Sequence, residues 1–135
     1  MKKHPLREFK ETPGASLEKL ESLLSDDVVF SSPIFSRELI GKELVAKVML
    51  ASTSVRDGKF THEFREGKET VLIWEGTING HKLVSFELIV DDEEGRIKHR
   101  SVAFKPYPVT TLFRAAMYEQ LKNLIPVDMW ELQQL

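Results

Sequence analysis

Residues 74–106 read WEGTINGHKLVSFELIVDDEEGRIKHRSVAFKP, and this stretch decides the fold. Asn79 and Gly80 form a strong two-residue hairpin signal, because both residues tolerate a positive φ. A second turn is predicted at 92–95, which reads DEEG. The runs beside these turns are rich in β-branched and aromatic residues, which favours strands. The stretch therefore predicts three consecutive antiparallel strands.

These two turns also predict the register of the strands. If the first turn has two residues, Leu72 lies opposite Glu87 and Trp74 lies opposite Ser85. If the second turn has four residues, Glu87 lies opposite Arg100. Because directly opposed residues share a face of the sheet, we expect Glu87 and Arg100 to form an ion pair.

The face that carries this pair is predicted to line a pocket, because the two charges lie among apolar side chains. The pocket residues predicted from these strands are Leu72, Trp74, Ser85, Glu87, Arg100, Val102 and Phe104. Two interpretations of the charged pair stay open, namely the polar floor of a ligand site and a buried structural ion pair. For Trp74 the alternatives are a pocket wall and core packing.

The opposite face of the sheet is also largely apolar. Its residues include Ile73, Val84, Phe86 and Ala103. A single-layer sheet with two apolar faces must have both covered, and the helices cover one of them. We expect a second copy of the chain to cover the other face, which gives a homodimer. The alternative is that the C-terminal helix and tail cover it within the monomer.

The segments outside the sheet are predicted to be an arm, three helices and a tail. Residues 1–15 are polar and interrupted by proline and glycine, which predicts an irregular N-terminal arm. Apolar residues at helical spacing predict helices after Ser16, after Gly41 and over 110–124. The short tail that follows contains Trp130, for which a lid over the pocket and a dimer contact are both open.

Two more strands are predicted before the hairpins. The run 28–32 is rich in β-branched residues, and 60–66 alternates so that Phe60, His62 and Phe64 share one face. The element order is then helix, strand, helix, four strands, helix. This order indicates an α+β fold in which a curved, mainly antiparallel sheet wraps around the helices, with an extra C-terminal helix.

Composition and charge narrow the functional classes. A chain of 135 residues with 41% hydrophobic and 30% charged residues is typical of one globular domain. The net charge is −2 and no basic face is visible, so we expect no nucleic-acid binding. No apolar run approaches the roughly 18 residues of a membrane helix, and the basic N-terminus lacks the apolar region of a secretory signal. We therefore expect a cytoplasmic protein that does not bind membranes.

Metal and thiol chemistry are not expected. The sequence has no cysteine, which excludes disulfides and thiolate ligands. Its four histidines, His4, His62, His81 and His99, lack the spacing of metal ligands. We therefore expect neither a metal site nor a cofactor.

Three segments carry a resemblance to a known family. DDVVFSSPIF (26–35), GKELV (41–45) and the meander that ends FELIVDDEEGRIKHRSVAFKP (86–106) resemble the SnoaL-like branch of the nuclear-transport-factor-2-like superfamily. The resemblance covers about residues 16–106. It implies a cystatin-like cone whose sheet curls around a pocket roofed by helices, and dimers that pair through the outer sheet face. The cone domain would span 16–108, with 109–135 packed on the same domain.

The resemblance also implies which face is inside. It places the face with Glu87 and Arg100 in the cone, together with Phe30 and Ser32 of the first strand. For Ser32 a passive lining role is expected. The fold hosts isomerases, cyclases, epoxide hydrolases, dehydratases and binders without catalysis, so it does not by itself assign a reaction.

The catalytic positions of ketosteroid isomerases in this fold are only partly matched. Those enzymes have an acid eight residues before the glycine of the last hairpin, and Glu87 stands eight before Gly95. Their general base is an aspartate just before the proline that follows the first strand, where this chain has Ser32 before Pro33. A serine hydroxyl cannot take a proton from carbon at neutral pH without a base of its own. Their tyrosine on the first helix has no counterpart, since both tyrosines follow the sheet.

Two functions are compatible with these observations. The first is a pocket protein that binds a small, mostly apolar organic molecule with its polar end near Glu87 and Arg100. It could act as an isomerase, cyclase or hydrolase, and no catalytic residue is assigned. Members similar to limonene epoxide hydrolase use two carboxylates and an arginine, and the pattern shows no second carboxylate inside. The second function is a dimeric interaction module without catalysis, which recruits a protein partner.

Overall fold

Six strands form one curved, unclosed sheet in the order β2-β1-β6-β5-β4-β3. The computed structural model describes residues 2–131. Strands β1 and β6 are parallel, and the other neighbouring strands are antiparallel. The strands are β1 Leu24–Ser31, β2 Leu39–Ile40, β3 Asp57–Glu66, β4 Glu69–Ile78, β5 His81–Asp91 and β6 Ile97–Lys105. The predicted α+β class with a mainly antiparallel sheet is confirmed.

Four helices and one 3-10 turn accompany the sheet. They are α1 Pro5–Glu11, α2 Leu17–Ser22, α3 Lys42–Val55, α4 Tyr107–Leu121 and the 3-10 turn Val127–Trp130. The core lies between the concave face of the sheet and helices α3 and α4. Its buried residues include Leu72, Leu83 and Ile89 of the sheet, Val45 and Met49 of α3, and Phe113 and Met117 of α4. None of the helices in residues 2–131 is long and apolar enough to cross a membrane.

The first hairpin has the register that its turn predicts. Asn79 and Gly80 both adopt positive φ, 50° and 79° respectively. Leu72 lies opposite Glu87, and Trp74 lies opposite Ser85. The predicted register of β4 and β5 is therefore confirmed.

The predicted register of the second hairpin is wrong by two residues. Glu87 lies opposite Val102, and Arg100 lies opposite Ile89. The turn is one residue longer than predicted, because Asp91 pairs with Ile97. A bulge between this pair and the Val90–His99 pair adds the second residue of the shift. Since a shift of two residues preserves the face of every side chain, Glu87 and Arg100 still share the inner face as diagonal neighbours.

A bulge in β3 overturns the predicted face of that strand. Phe60 lies opposite Trp74, but His62 lies opposite Ile73, so Thr61 is the extra residue. Phe60 is buried on the inner face, while Phe64 is 58% exposed on the outer face. The single face predicted for Phe60, His62 and Phe64 is therefore wrong, since a β-bulge reverses the alternation beyond it.

The irregular arm predicted for residues 1–15 contains a helix in its described part, residues 2–15. Residues Pro5–Glu11 form helix α1, in which Pro5 occupies the first turn and the His4 side chain accepts a hydrogen bond from Leu6 N. Proline is favoured at this position, because its missing N–H would have no helical partner there. Leu6 and Phe9 are buried, so α1 contributes to the core.

The C-terminal segment packs against the same domain. Helix α4 begins at Tyr107, three residues earlier than predicted. The Trp130 ring is buried, with ring centroids 4.9 Å from Phe35 and 5.2 Å from Tyr118. Residues 132–135 of the predicted tail lie outside the described residues.

Candidate functional site

The predicted ion pair lies at the centre of the inner face. Arg100 Nε donates to Glu87 Oε2 at 3.0 Å, and Arg100 Nη2 donates to the same oxygen. Each residue is only 3% exposed. The Arg100 guanidinium carbon also lies 5.0 Å from the centre of the Phe30 ring, within the range of a cation–π contact.

The charges around Glu87 keep its carboxyl group ionised. Burial alone would raise the pKa of Glu87, but the charges of Arg100 and Lys10, the hydrogen bond from Arg100 and the charge of Arg56 hold the pKa below its ordinary value. An ionised carboxylate accepts hydrogen bonds and does not donate them. Glu87 is therefore unsuited to the donor role of the matching acid in steroid isomerases.

Two further cations enter the cone, and the sequence analysis missed both. Lys10 comes from α1, and Arg56 directly follows α3. The Arg56 guanidinium carbon lies 4.4 Å from the centre of the Trp74 ring and 5.4 Å from that of Phe104. Lys10 Nζ lies 6.0 Å from the centre of the Phe60 ring.

The signal for Lys10 depends on recognising α1. Leu6, Phe9 and Lys10 are spaced i, i+3 and i+4, so they share one helical face. Leu6 and Phe9 are buried, and the stem of Lys10 follows them into the protein. If the helix is not recognised from the sequence, Lys10 is interpreted as one of several charged residues in a polar arm.

Three buried polar atoms of this group have no hydrogen-bond partner within residues 2–131. They are Lys10 Nζ, Arg56 Nη1 and Glu87 Oε1. Unpaired buried polar atoms are uncommon in folded proteins, because each one loses its hydration without compensation. Where such atoms belong to residues that line a cavity, as Lys10 and Arg56 do, they indicate a ligand site better than apolar lining does.

Burial makes the charged forms of Lys10 and Arg56 less favourable, and this lowers the pKa of both side chains. Burial lowers the pKa of Lys10 well below its ordinary value, the charge of Arg100 lowers it further, Glu87 opposes the shift and Arg56 adds to it. Burial, with Arg100 assisting and Glu87 opposing, lowers the pKa of Arg56 to about 10. One carboxylate thus faces three cations.

Two cavities lie along these residues. The larger, which we call the mouth cavity, has a volume of about 440 Å³ and is lined by residues including Lys10, Arg56, Phe60 and Trp74. The smaller, the inner cavity, has about 20 Å³, which is room for roughly one water molecule. Arg56 lines both cavities.

The predicted pocket residues divide into three groups. Phe30, Ser32, Arg100, Val102 and Phe104 line the inner cavity. Trp74 lines the mouth cavity. Leu72, Ser85 and Glu87 are buried on the same face of the sheet, and neither cavity includes them among its lining residues. Their role in ligand binding stays a prediction.

A second carboxylate does lie on the inner side of the sheet, and the bulge in β3 is the reason. Glu63 lies opposite Leu72, and its side chain is 4% exposed. Its oxygens accept from Arg7 Nη1 at 3.3 Å and from His4 N at 2.9 Å. Glu63 therefore anchors α1, together with Asp91, whose carboxylate lies 3.0 Å from His4 Nε2.

A metal-based chemistry has no support from the side chains that the structure describes. Among residues 2–131, no group of three or more histidine and acidic side chains has an arrangement that could hold a metal ion.

Replacing Lys10 with methionine is expected to stabilise the protein by about 1–3 kcal/mol at pH 7, the usual effect of a buried polar group without a partner. The folded-state pKa of Lys10 lies below 10.5, its ordinary value. The wild type therefore becomes less stable as the pH falls from about 10.5 towards the lowered folded-state pKa of Lys10. The variant does not show this loss of stability. Urea unfolding at pH 7 and pH 10.5 measures the difference, and a gain that does not shrink at the higher pH contradicts the burial of a strained charge.

Solved structures resemble this fold, although no protein-family model and no curated protein matches the sequence. A bacterial protein with a cystatin-like fold from Silicibacter pomeroyi is 24% identical, with a TM-score of 0.81 over 90% of this chain and 88% of its own. A steroid delta-isomerase from Pseudomonas aeruginosa is 23% identical, with a TM-score of 0.75 over 80% and 81% of the two chains.

A more distant structure comes from the family that the sequence resembles. A SnoaL-like family protein from Agrobacterium tumefaciens is 12% identical, with a TM-score of 0.57 over 67% of this chain and 80% of its own. Identities this low establish the shared fold and leave the activity unassigned. The chain therefore has a cone-shaped, cystatin-like α+β fold, which it shares with these solved structures, a SnoaL-like family protein among them.

Proposed function

We propose that this protein binds a small, mostly apolar organic molecule in its cone. The supporting observation is that two buried donors without a partner among the described residues, Lys10 Nζ and Arg56 Nη1, belong to residues that line the mouth cavity. A volume of about 440 Å³ falls within the size range of ligand pockets. Apolar rings with a few convergent polar groups are typical of such pockets.

The proposal includes catalysis only as a class. The fold is shared with a steroid delta-isomerase, and isomerase, cyclase or hydrolase chemistry is compatible with a charged site that also contains aromatic rings. By the sequence resemblance, Ser32 stands where those isomerases have their base, and its Oγ accepts a hydrogen bond from Ile34 N at 3.5 Å. Because a serine cannot replace that aspartate as a base, steroid isomerisation is not proposed.

Native mass spectrometry of the purified protein tests this function. We expect a bound small molecule that is released by denaturation and organic extraction, and whose mass identifies its chemistry. A protein that is empty as purified and that gives no thermal shift with any small organic compound in a broad screen contradicts the proposal. Such a result favours the interaction module.

We also propose that a second copy of the chain covers the outer face of the sheet. Large apolar side chains are exposed there, with Phe64 at 58%, Phe86 at 38% and Leu88 at 38%. Helix α4 lies on the other side of the sheet, because its Phe113 ring packs 4.8 Å from that of inner-face Phe104. Within residues 2–131, neither α4 nor the 3-10 turn covers the outer face.

Replacing Phe86 with lysine is expected to weaken this dimer by at least about tenfold in dissociation constant, because a charge would be buried at the interface. Sedimentation velocity at micromolar concentration measures the change. Leu124→Lys is the control, since Leu124 is similarly exposed at 41% but follows α4. A wild-type protein that is monomeric at these concentrations contradicts the proposal, as does an equal effect of both variants.

A further inference from the structure

The mouth cavity presents two hydrogen-bond donors that the described part of the chain leaves unsatisfied. Lys10 Nζ and Arg56 Nη1 are both buried, and both residues line this one cavity. Lys10 approaches from α1 and Arg56 from the end of α3, so two separate elements bring positive charge to the same place. A ligand without acceptors would leave both donors unpaired, which is unfavourable in a buried site.

The balance of charge within the cone also favours a ligand that carries hydrogen-bond acceptors. Lys10, Arg56 and Arg100 lie close enough to affect one another electrostatically, and Glu87 is the carboxylate that opposes all three. Glu87 is already engaged by Arg100 through two donors. At the cavity edge, Glu11 pairs with Lys3 at 2.9 Å and with Arg7 at 3.3 Å. Asp57 and Lys59 line the cavity as well, so its lining carries an excess of positive charge, and Lys10 and Arg56 are the lining cations with a buried donor that has no partner among the described residues.

Aromatic rings next to these cations provide an apolar platform. Phe60 and Trp74 are opposed residues of β3 and β4, and opposed side chains are in close contact. Lys10 lies near the first ring and Arg56 lies over the second. A ligand that reaches both donors therefore has an aromatic surface for the rest of its body.

We propose that the mouth cavity is a carboxylate site, in which an organic acid places its carboxylate between Lys10 Nζ and Arg56 Nη1 and its apolar body against Phe60 and Trp74. This inference rests on the proposed function and specifies the ligand class. A carboxylate satisfies both donors at once, and the planar guanidinium of Arg56 suits it better than a neutral acceptor does. Arg56 also lines the inner cavity, so a bound acid would hold a side chain that both cavities share.

Calorimetric titration with phenylacetate and phenylacetamide tests this site, because the two probes share a shape and differ in charge. We expect the wild type to bind the acid at least about tenfold more tightly than the amide, as a charge-assisted hydrogen bond contributes more than a neutral one. In Lys10→Met and in Arg56→Met the preference should disappear. Lys47→Met, which removes an exposed lysine of α3, should keep it.

The outcomes separate this inference from the proposed function. Equal binding of acid and amide by the wild type overturns the carboxylate site and leaves the small-molecule function standing. If neither probe binds, the molecule released in native mass spectrometry decides, since an acid supports the site and a molecule without an acidic group overturns it. If neither probe binds and the protein is also empty and unresponsive in the screen, both proposals fail. Circular dichroism of each variant checks that a lost preference does not reflect unfolding.

Discussion

Replacing Arg100 with alanine is expected to lower the free energy of unfolding by about 3–5 kcal/mol. The reason is the burial of its partner, since Glu87 and Arg100 are each 3% exposed. Removing the guanidinium leaves a carboxylate whose Oε2 loses both donors and whose Oε1 already has none among the described residues. Breaking a buried ion pair from one side is strongly destabilising, because the remaining charge is neither hydrated nor compensated. Urea unfolding at pH 7 measures the change.

Two further variants show whether the effect comes from the buried charge. The double variant Glu87→Gln with Arg100→Met should recover much of the lost stability, because no unpaired charge remains. Arg37→Ala is the matched control, since Arg37 pairs with Asp128 at 2.9 Å on the surface, with both side chains about half exposed. Its effect should stay below about 1 kcal/mol. A similarly small effect of Arg100→Ala contradicts a buried ion pair.

The register of the sheet shows what a turn sequence can predict. Asn79 and Gly80 fixed the pairing of β4 and β5, because only a few residue types adopt the two positive φ angles that this turn needs. The second turn, DEEG, carries one glycine and no such constraint, so its length could not be derived. The Glu87 and Arg100 contact was predicted correctly because the error of two residues preserved the faces.

The bulge in β3 and helix α1 were not predictable from local patterns, and the two errors are connected. Thr61 has no feature that marks it as the extra residue of a bulge, and Pro5 reads equally well as a breaker and as a first-turn residue. The bulge turns Glu63 inward, where it accepts hydrogen bonds from His4 N and Arg7. These contacts hold α1 on the sheet, and α1 in turn delivers Lys10 to the cone.

The cations of the mouth cavity could not be predicted for a more general reason. Sequence patterns assign charged residues to the surface, because an unpaired buried charge is costly in almost every protein. Lys10 and Arg56 break this rule, and local departures from such rules are expected at functional sites. The alternation of residues along the strands identified the inner face of the sheet. The two cations of the mouth cavity come from outside the sheet, from α1 and from the residue that follows α3.

Replacing Gly76 with alanine is expected to destabilise the protein by about 3 kcal/mol, at the upper end of the effect of overpacking. Gly76 and Gly58 are opposed residues of β4 and β3, and the Trp74 ring lies over them. A Cβ at Gly76 would lie 2.6 Å from Gly58 Cα and nearer still to Asp57 O and the Trp74 ring. Because two of these three neighbours are backbone, no rotation of a side chain can relieve the clash, and β3 must move away from β4.

This movement should also weaken ligand binding, since Asp57, Gly58 and Trp74 all line the mouth cavity. Thr77→Ala is the control, because Thr77 is the next residue of β4 and is exposed. Urea unfolding gives the stability of both variants, and titration with phenylacetate gives the affinity of the folded fraction. If Gly76→Ala is within about 0.5 kcal/mol of the wild type, the range of ordinary surface substitutions, then the close approach of β3 and β4 at this point is incorrect. The placement of Trp74 beneath Arg56 would then be incorrect as well, because that ring lies where it does only if both opposed positions lack a side chain.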